Sequence, residues 1–97
     1  MDTRLFIIDL QYKVPLSLIE LHAPAHMAFL EEHYAAGRFL ASGPKVPRDG
    51  GVILARSVER AELENLIVDD PFHQHDLADY RITEFVARRT GPGLDLS

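Results

Sequence analysis

The sequence predicts an α+β domain of ferredoxin-like architecture, with element order β-α-β-β-α-β. Three observations predict it. Runs of β-branched, aromatic and aliphatic residues recur at 4–12, 38–43, 52–56 and 78–88. Segments with helical periodicity, 24–37 and 57–68, fall after the first and third of these runs. The strand–helix–strand unit is therefore taken twice, with no low-complexity segment or linker between the copies. The 97 residues suit one domain, assigned to 1–89, with TGPGLDLS (90–97) as a loose C-terminal tail.

The first strand, RLFIIDLQY, is apolar on both alternating faces, Leu5 and Ile7 on one and Phe6, Ile8 and Leu10 on the other. A strand with one wet face alternates apolar with polar, so this one is expected to be covered on both sides. KVPLSLIELHAP (13–24) reads as a connection, with Ser17 and Glu20 spaced as a capping box for a short helical turn. Pro24 either interrupts that turn or begins the main helix, PAHMAFLEEHYAAG, whose Met27, Leu30 and Tyr34 form the inward stripe and whose Gly37 is a stop. RFLASG is the second strand, and GPKVPRDGG a loop marked by its Gly, Pro and Asp-Gly signals. VILAR is the third strand, again apolar on both faces. In the second helix Ser57 is the expected N-cap, and Leu63, Leu66 and Ile67 face inward. Asp70-Pro71 ends it, because proline disfavours helix at the preceding residue. ADYRITEFVAR is the fourth strand.

In this fold both helices lie on one face of the sheet. The other face carries apolar residues and needs a cover. The simplest cover is the same face of a second copy, so a homodimer packed through its sheets is expected.

Composition narrows the function. The chain has no cysteine, which excludes disulfides, cysteine-ligated metals and a thiolate nucleophile, and fits a cytoplasmic location. Net charge is −5, a poor basis for nucleic-acid binding. No window has transmembrane length, and the N-terminal residues lack a signal-peptide pattern, so no membrane association is expected. There is no GxSxG elbow, Walker or Rossmann glycine pattern, or HExxH.

The stretch VDDPFHQHDL (68–77) concentrates the candidate chemistry. The antiparallel helices bring the start of the first near the end of the second. His26, in the first turn of the helix beginning at Pro24, then meets Asp70. A carboxylate that holds one ring nitrogen orients an imidazole for proton transfer at the other. A helix N-terminus disfavours imidazolium and a carboxylate favours it, and the balance is left open. The plainer alternatives are a His bonded to backbone or water and an Asp that only forms a turn. His73 and His75 would share a face on an extended segment and could chelate, but they read more simply as loop residues, and no metal site or cofactor is assigned. His33, beside Glu31 and Glu32, reads as a solvated helix face. Ser42 and Gly43, at the end of the second strand, could line a pocket. Tyr34 and Phe72 read first as core residues, and Arg38 and Glu84 as surface charges.

Three motifs in order, PAH at 24–26, SGP at 42–44 and DPF at 70–72, with YRITEF beyond, resemble the YCII family of small dimeric α+β barrel proteins over nearly the whole chain. The resemblance implies a ferredoxin-like fold, dimerisation through the sheet, and a His–Asp pair mapping onto His26 and Asp70. It also implies kinship in shape with muconolactone isomerases, and one family branch is similar to dehydrochlorinases of chlorinated hydroxyhydroquinones. Two positions depart from the family pattern. His22 stands where an arginine often precedes the helix histidine by four residues, and Asp76 stands where glycine is frequent after DPF. The first removes a cationic anchor or replaces it with one that titrates, and the second places a carboxylate where it would repel an acidic substrate.

Two functions follow as expectations. One is a cofactor-independent isomerase or lyase on a small organic molecule, with His26 and Asp70 catalytic and His22, Ser42, Gly43 and Phe72 binding the substrate. The other is a non-catalytic dimeric module that binds a small ligand or serves as an accessory. A metal-dependent enzyme using His73 and His75 is a weaker third.

Overall fold

The structure is a computed structural model and describes residues 3–56 and 59–94. Its elements are β1 (Thr3–Tyr12), α1 (Leu16–Ala35), β2 (Phe39–Pro44), β3 (Gly50–Arg56), α2 (Arg60–Ile67), α3 (Pro71–Gln74) and β4 (Ala78–Ala87). The strands form one antiparallel sheet in the order β2-β3-β1-β4. With the two crossover helices this is the ferredoxin-like fold.

Register explains which residues meet the helices. Phe6 pairs with Ala55 and Glu84, Ile8 with Ile53 and Ile82, and Leu10 with Gly51 and Tyr80. This set faces the helices, and its Phe6, Ile8 and Ala55 are fully buried. Ile19, Phe29 and Leu30 of α1, the three residues Leu63, Leu66 and Ile67 of α2, and Phe72 of α3 complete the core. Burying a side chain of this size stabilises the fold by about 1.5–3 kcal/mol. The opposite face carries Leu5, Ile7 and Phe85, and there Ile7 and Phe85 stay exposed.

Gly50 secures the entry to β3. A Cβ at this position would lie 1.9 Å from the Leu10 carbonyl oxygen, so only glycine admits the close β1–β3 approach.

Several expectations are corrected. The first helix does not begin at Pro24; α1 runs unbroken from Leu16 with Pro24 inside it. Proline removes one i→i−4 bond, but Ile19 is fully buried one turn earlier and holds that half of the helix on the core. The capping box of Ser17 and Glu20 does not form, since Pro15 is the N-cap and no side chain caps the helix. Met27, expected in the buried inward stripe, is instead half-exposed and borders a cavity, whereas Leu30 is buried. The helix expected over 57–68 spans Arg60–Ile67, and Ser57, its expected cap, lies outside the described residues. The His73–His75 segment is not extended. Asp70 caps α3 and Pro71 occupies its first turn, so the segment turns helical instead.

His33 is also corrected. It is buried, its ring 4.7 Å from that of Phe29 and 5.0 Å from that of Phe39. Burial pushes its pKa below the ordinary value of 6.5, with Arg38 acting the same way and Glu32 and Asp69 opposing. A depressed folded-state pKa means that the unfolded chain takes up the proton first on acidification. The stability due to neutral His33 is therefore present above about pH 6.5 and lost as pH falls toward the lower folded value. Urea unfolding of His33→Phe is expected to lose this component of the acid dependence while remaining stable at neutral pH. An unchanged pH profile would contradict the assignment.

Candidate active site

Asp70 sits where α2 has ended and α3 begins. Its side chain is fully buried and fully bonded. Oδ1 accepts the backbone N–H of Phe72 at 3.0 Å, which caps α3. The same oxygen meets Nδ1 of His26 at 2.8 Å, across 44 residues of chain. Oδ2 accepts the hydroxyl of Tyr80 at 2.5 Å. A carboxylate only accepts, so Nδ1 of His26 carries the proton in this pair. Nε2 has no hydrogen-bond partner among the described residues.

Tyr80 was not singled out from the sequence. Burial, then the charge of Asp70 and the hydrogen bond to it, hold its phenol protonated far above the ordinary range near 10. It is a fixed donor and does not compete for protons at working pH. Alternation along the fourth strand places Ala78, Tyr80 and Ile82 on one face, but only the pairing with Leu10 shows that this face looks toward Asp70.

The imidazole of His26 lies flat on Phe72, with ring centroids 3.9 Å apart and planes 6° from parallel. His26 is thus in the middle of α1 and not in a first turn, so the expected opposition of a helix terminus is absent. What orients it is Asp70 behind and Phe72 beneath.

A cavity of about 380 Å³ opens between α1 and the sheet. His26, Ala23, Met27 and Leu30 form its helix wall, Leu10, Tyr12 and Ile53 belong to the sheet side, Phe72 borders it from α3, and Ser42, Gly43, Pro44 and Arg48 close it at the β2–β3 end. The volume is at the small end of the range for ligand pockets, and the lining is mainly apolar with few polar groups. The Ser42 hydroxyl is 2.6 Å from that of Tyr34.

Of the residues singled out from the sequence, His26, Ser42, Gly43 and Phe72 line this cavity, and Asp70 stands behind His26. His22 does not line it; its ring stacks on His75 at 4.1 Å. Asp76 adopts a left-handed φ of 56°, the conformation that glycine takes most readily, and its carboxylate pairs with Lys13 outside the cavity lining. The expected repulsion of an acidic ligand by Asp76 therefore has no place at this cavity. His73 meets the edge of Tyr80. Among the described residues no group of three or more His, Asp or Glu side chains is arranged to hold a metal ion.

The ferredoxin-like domain thus sets a part-buried histidine–carboxylate pair beside a mainly apolar cavity. The chain belongs to the YCII family: the YCII-related domain matches residues 5–86. Among solved structures it is similar to the 5-chloro-2-hydroxyhydroquinone dehydrochlorinase of Burkholderia phenoliruptrix, determined in complex with 2,5-dihydroxybenzoquinone. That likeness has a TM-score of 0.68 at 21% sequence identity and covers 89% of this chain and 93% of the other, which establishes a common fold. No curated protein matches the sequence. No helix among the described residues is long and apolar enough to cross a membrane.

Proposed function

We propose that this chain is a cofactor-independent enzyme that moves a proton on a small cyclic or aromatic-derived molecule, in an isomerisation or an elimination of the dehydrochlorinase kind. The observation that carries the reading is the 2.8 Å bond from His26 Nδ1 to the fully buried Asp70, which leaves Nε2 as the available base beside the cavity. Asp70 stabilises the imidazolium that forms when Nε2 takes a proton, and the apolar walls strengthen that attraction. Tyr80 and the Phe72 amide hold the carboxylate in place.

The test is proton transfer itself. Wild type and His26→Gln are incubated in heavy water with 5-chloro-2-hydroxyhydroquinone and with unhalogenated cyclic enones. Deuterium incorporation and chloride release are followed by NMR and mass spectrometry. Catalysis in the wild type that falls by about a hundredfold or more in a folded His26→Gln supports the reading. Equal rates in the two remove His26 from the chemistry, and no turnover in either favours a module that only binds.

The reading includes a dimer. Ile7 and Phe85 are exposed on the sheet face opposite the helices, with Leu54 beside Ile7 in register. A second copy laid against this face covers them without touching the helix layer. Light scattering is expected to give a dimer for the wild type and a monomer for Phe85→Glu, while a monomeric wild type at micromolar concentration would contradict it.

A further inference from the structure

We infer that Arg48 is the specificity residue of the cavity and selects ring-sized ligands carrying an anionic oxygen, a carboxylate or a phenolate. The inference rests on reading the cavity as a small-molecule site.

Among the described residues that line the cavity, Arg48 alone carries a formal charge, and no carboxylate lines it. In a chain of net charge −5, the one cation in this lining is the group there that attracts an anion. Arg48 is also free to serve a ligand. Its Nη1 lies 3.4 Å from Oε1 of Glu20, and both side chains are largely exposed, at 43% and 63%. A long, solvated pair of this kind contributes little to stability, so an incoming anion competes with Glu20 on easy terms. The guanidinium presents parallel N–H donors that match a carboxylate or an ionised ring oxygen.

The cavity sets the size of the ligand. Arg48 and His26 both line its volume of about 380 Å³, which suits a monocyclic molecule with one oxygen substituent. Held by Arg48, it presents its far edge to Nε2 of His26. The β2–β3 loop thereby supplies the cation that His22, stacked on His75 away from the cavity, does not bring.

The test uses benzoate and its neutral isostere benzamide as probes. Each is titrated into the full chain while the backbone amide resonances of Ser42, Gly43 and Gly51 are followed by NMR. Benzoate is expected to bind the wild type about tenfold more tightly than benzamide. Added salt should weaken that preference. Arg48→Gln is expected to abolish it while leaving the benzamide affinity within about twofold. Binding of both probes with equal affinity, or a preference that survives Arg48→Gln, overturns the role of Arg48 and leaves the small-molecule reading standing. Failure of both probes to move the cavity resonances overturns the two together.

Discussion

Replacing Asp70 with alanine is expected to lower the stability of the fold by roughly 3–5 kcal/mol, a large share of the roughly 5–15 kcal/mol that holds a domain together. The carboxylate is fully buried and accepts three hydrogen bonds, from His26 Nδ1–H, Tyr80 O–H and Phe72 N–H. Alanine leaves all three donors without a partner, each at a cost of about 1–3 kcal/mol before relaxation. It also removes the N-cap of α3, worth about 1 kcal/mol. The neighbouring Asp69 is exposed, and Asp69→Ala is expected to stay within about 0.5 kcal/mol of the wild type. Urea denaturation of the two variants measures both. A loss below about 1 kcal/mol for Asp70→Ala would contradict the view that this residue organises the end of the domain.

Replacing Asp70 with asparagine separates that structural role from the chemical one. The amide oxygen can take the position of Oδ1 and accept from both Phe72 N–H and His26 Nδ1–H. The amide nitrogen can then donate to the Tyr80 oxygen, whose hydroxyl turns from donor to acceptor. Shape and hydrogen bonding survive, so the cost in stability is expected to be about 1 kcal/mol. The negative charge does not survive. If Nε2 takes a proton in the rate-determining step, the imidazolium forms without its counter-charge, and kcat is expected to fall by about a hundredfold or more. KM should change little, because Asp70 stands behind His26 and does not line the cavity. A kcat near that of the wild type would mean that the carboxylate only holds the histidine and takes no part in the proton's movement.

These expectations depend on a site that was legible in the sequence to an uneven degree. The strands were legible because β-branched runs interrupted by Gly, Pro and Asp carry a local signal, and the order of elements then restricts the topology to very few forms. His26 and Asp70 do meet, but not as a helix start beside a helix end: His26 lies in the middle of α1 and reaches Asp70 at the N-cap of α3. The first half of α1 was hidden because the local rule against proline gave way to burial of Ile19, a tertiary effect. His33 was misread from its acidic neighbours in sequence. On a helix its partners are the residues four and three before it, and Phe29 and Leu30 are both buried. Tyr80 and Arg48 were hidden for a different reason. The first depends on strand register and the second on the path of a loop, and neither leaves a periodic trace.

The proposed chemistry depends on one arrangement, in which Asp70 fixes the proton of His26 on Nδ1 and Nε2 is a free base beside the cavity. Nitrogen-15 NMR of the His26 side chain tests it most directly. In the neutral ring the proton is expected on Nδ1, strongly deshielded by the bond to Asp70, and Nε2 is expected bare, with a resonance that shifts when benzoate enters the cavity. A neutral ring protonated on Nε2, or an Nε2 resonance indifferent to the ligand, would contradict it.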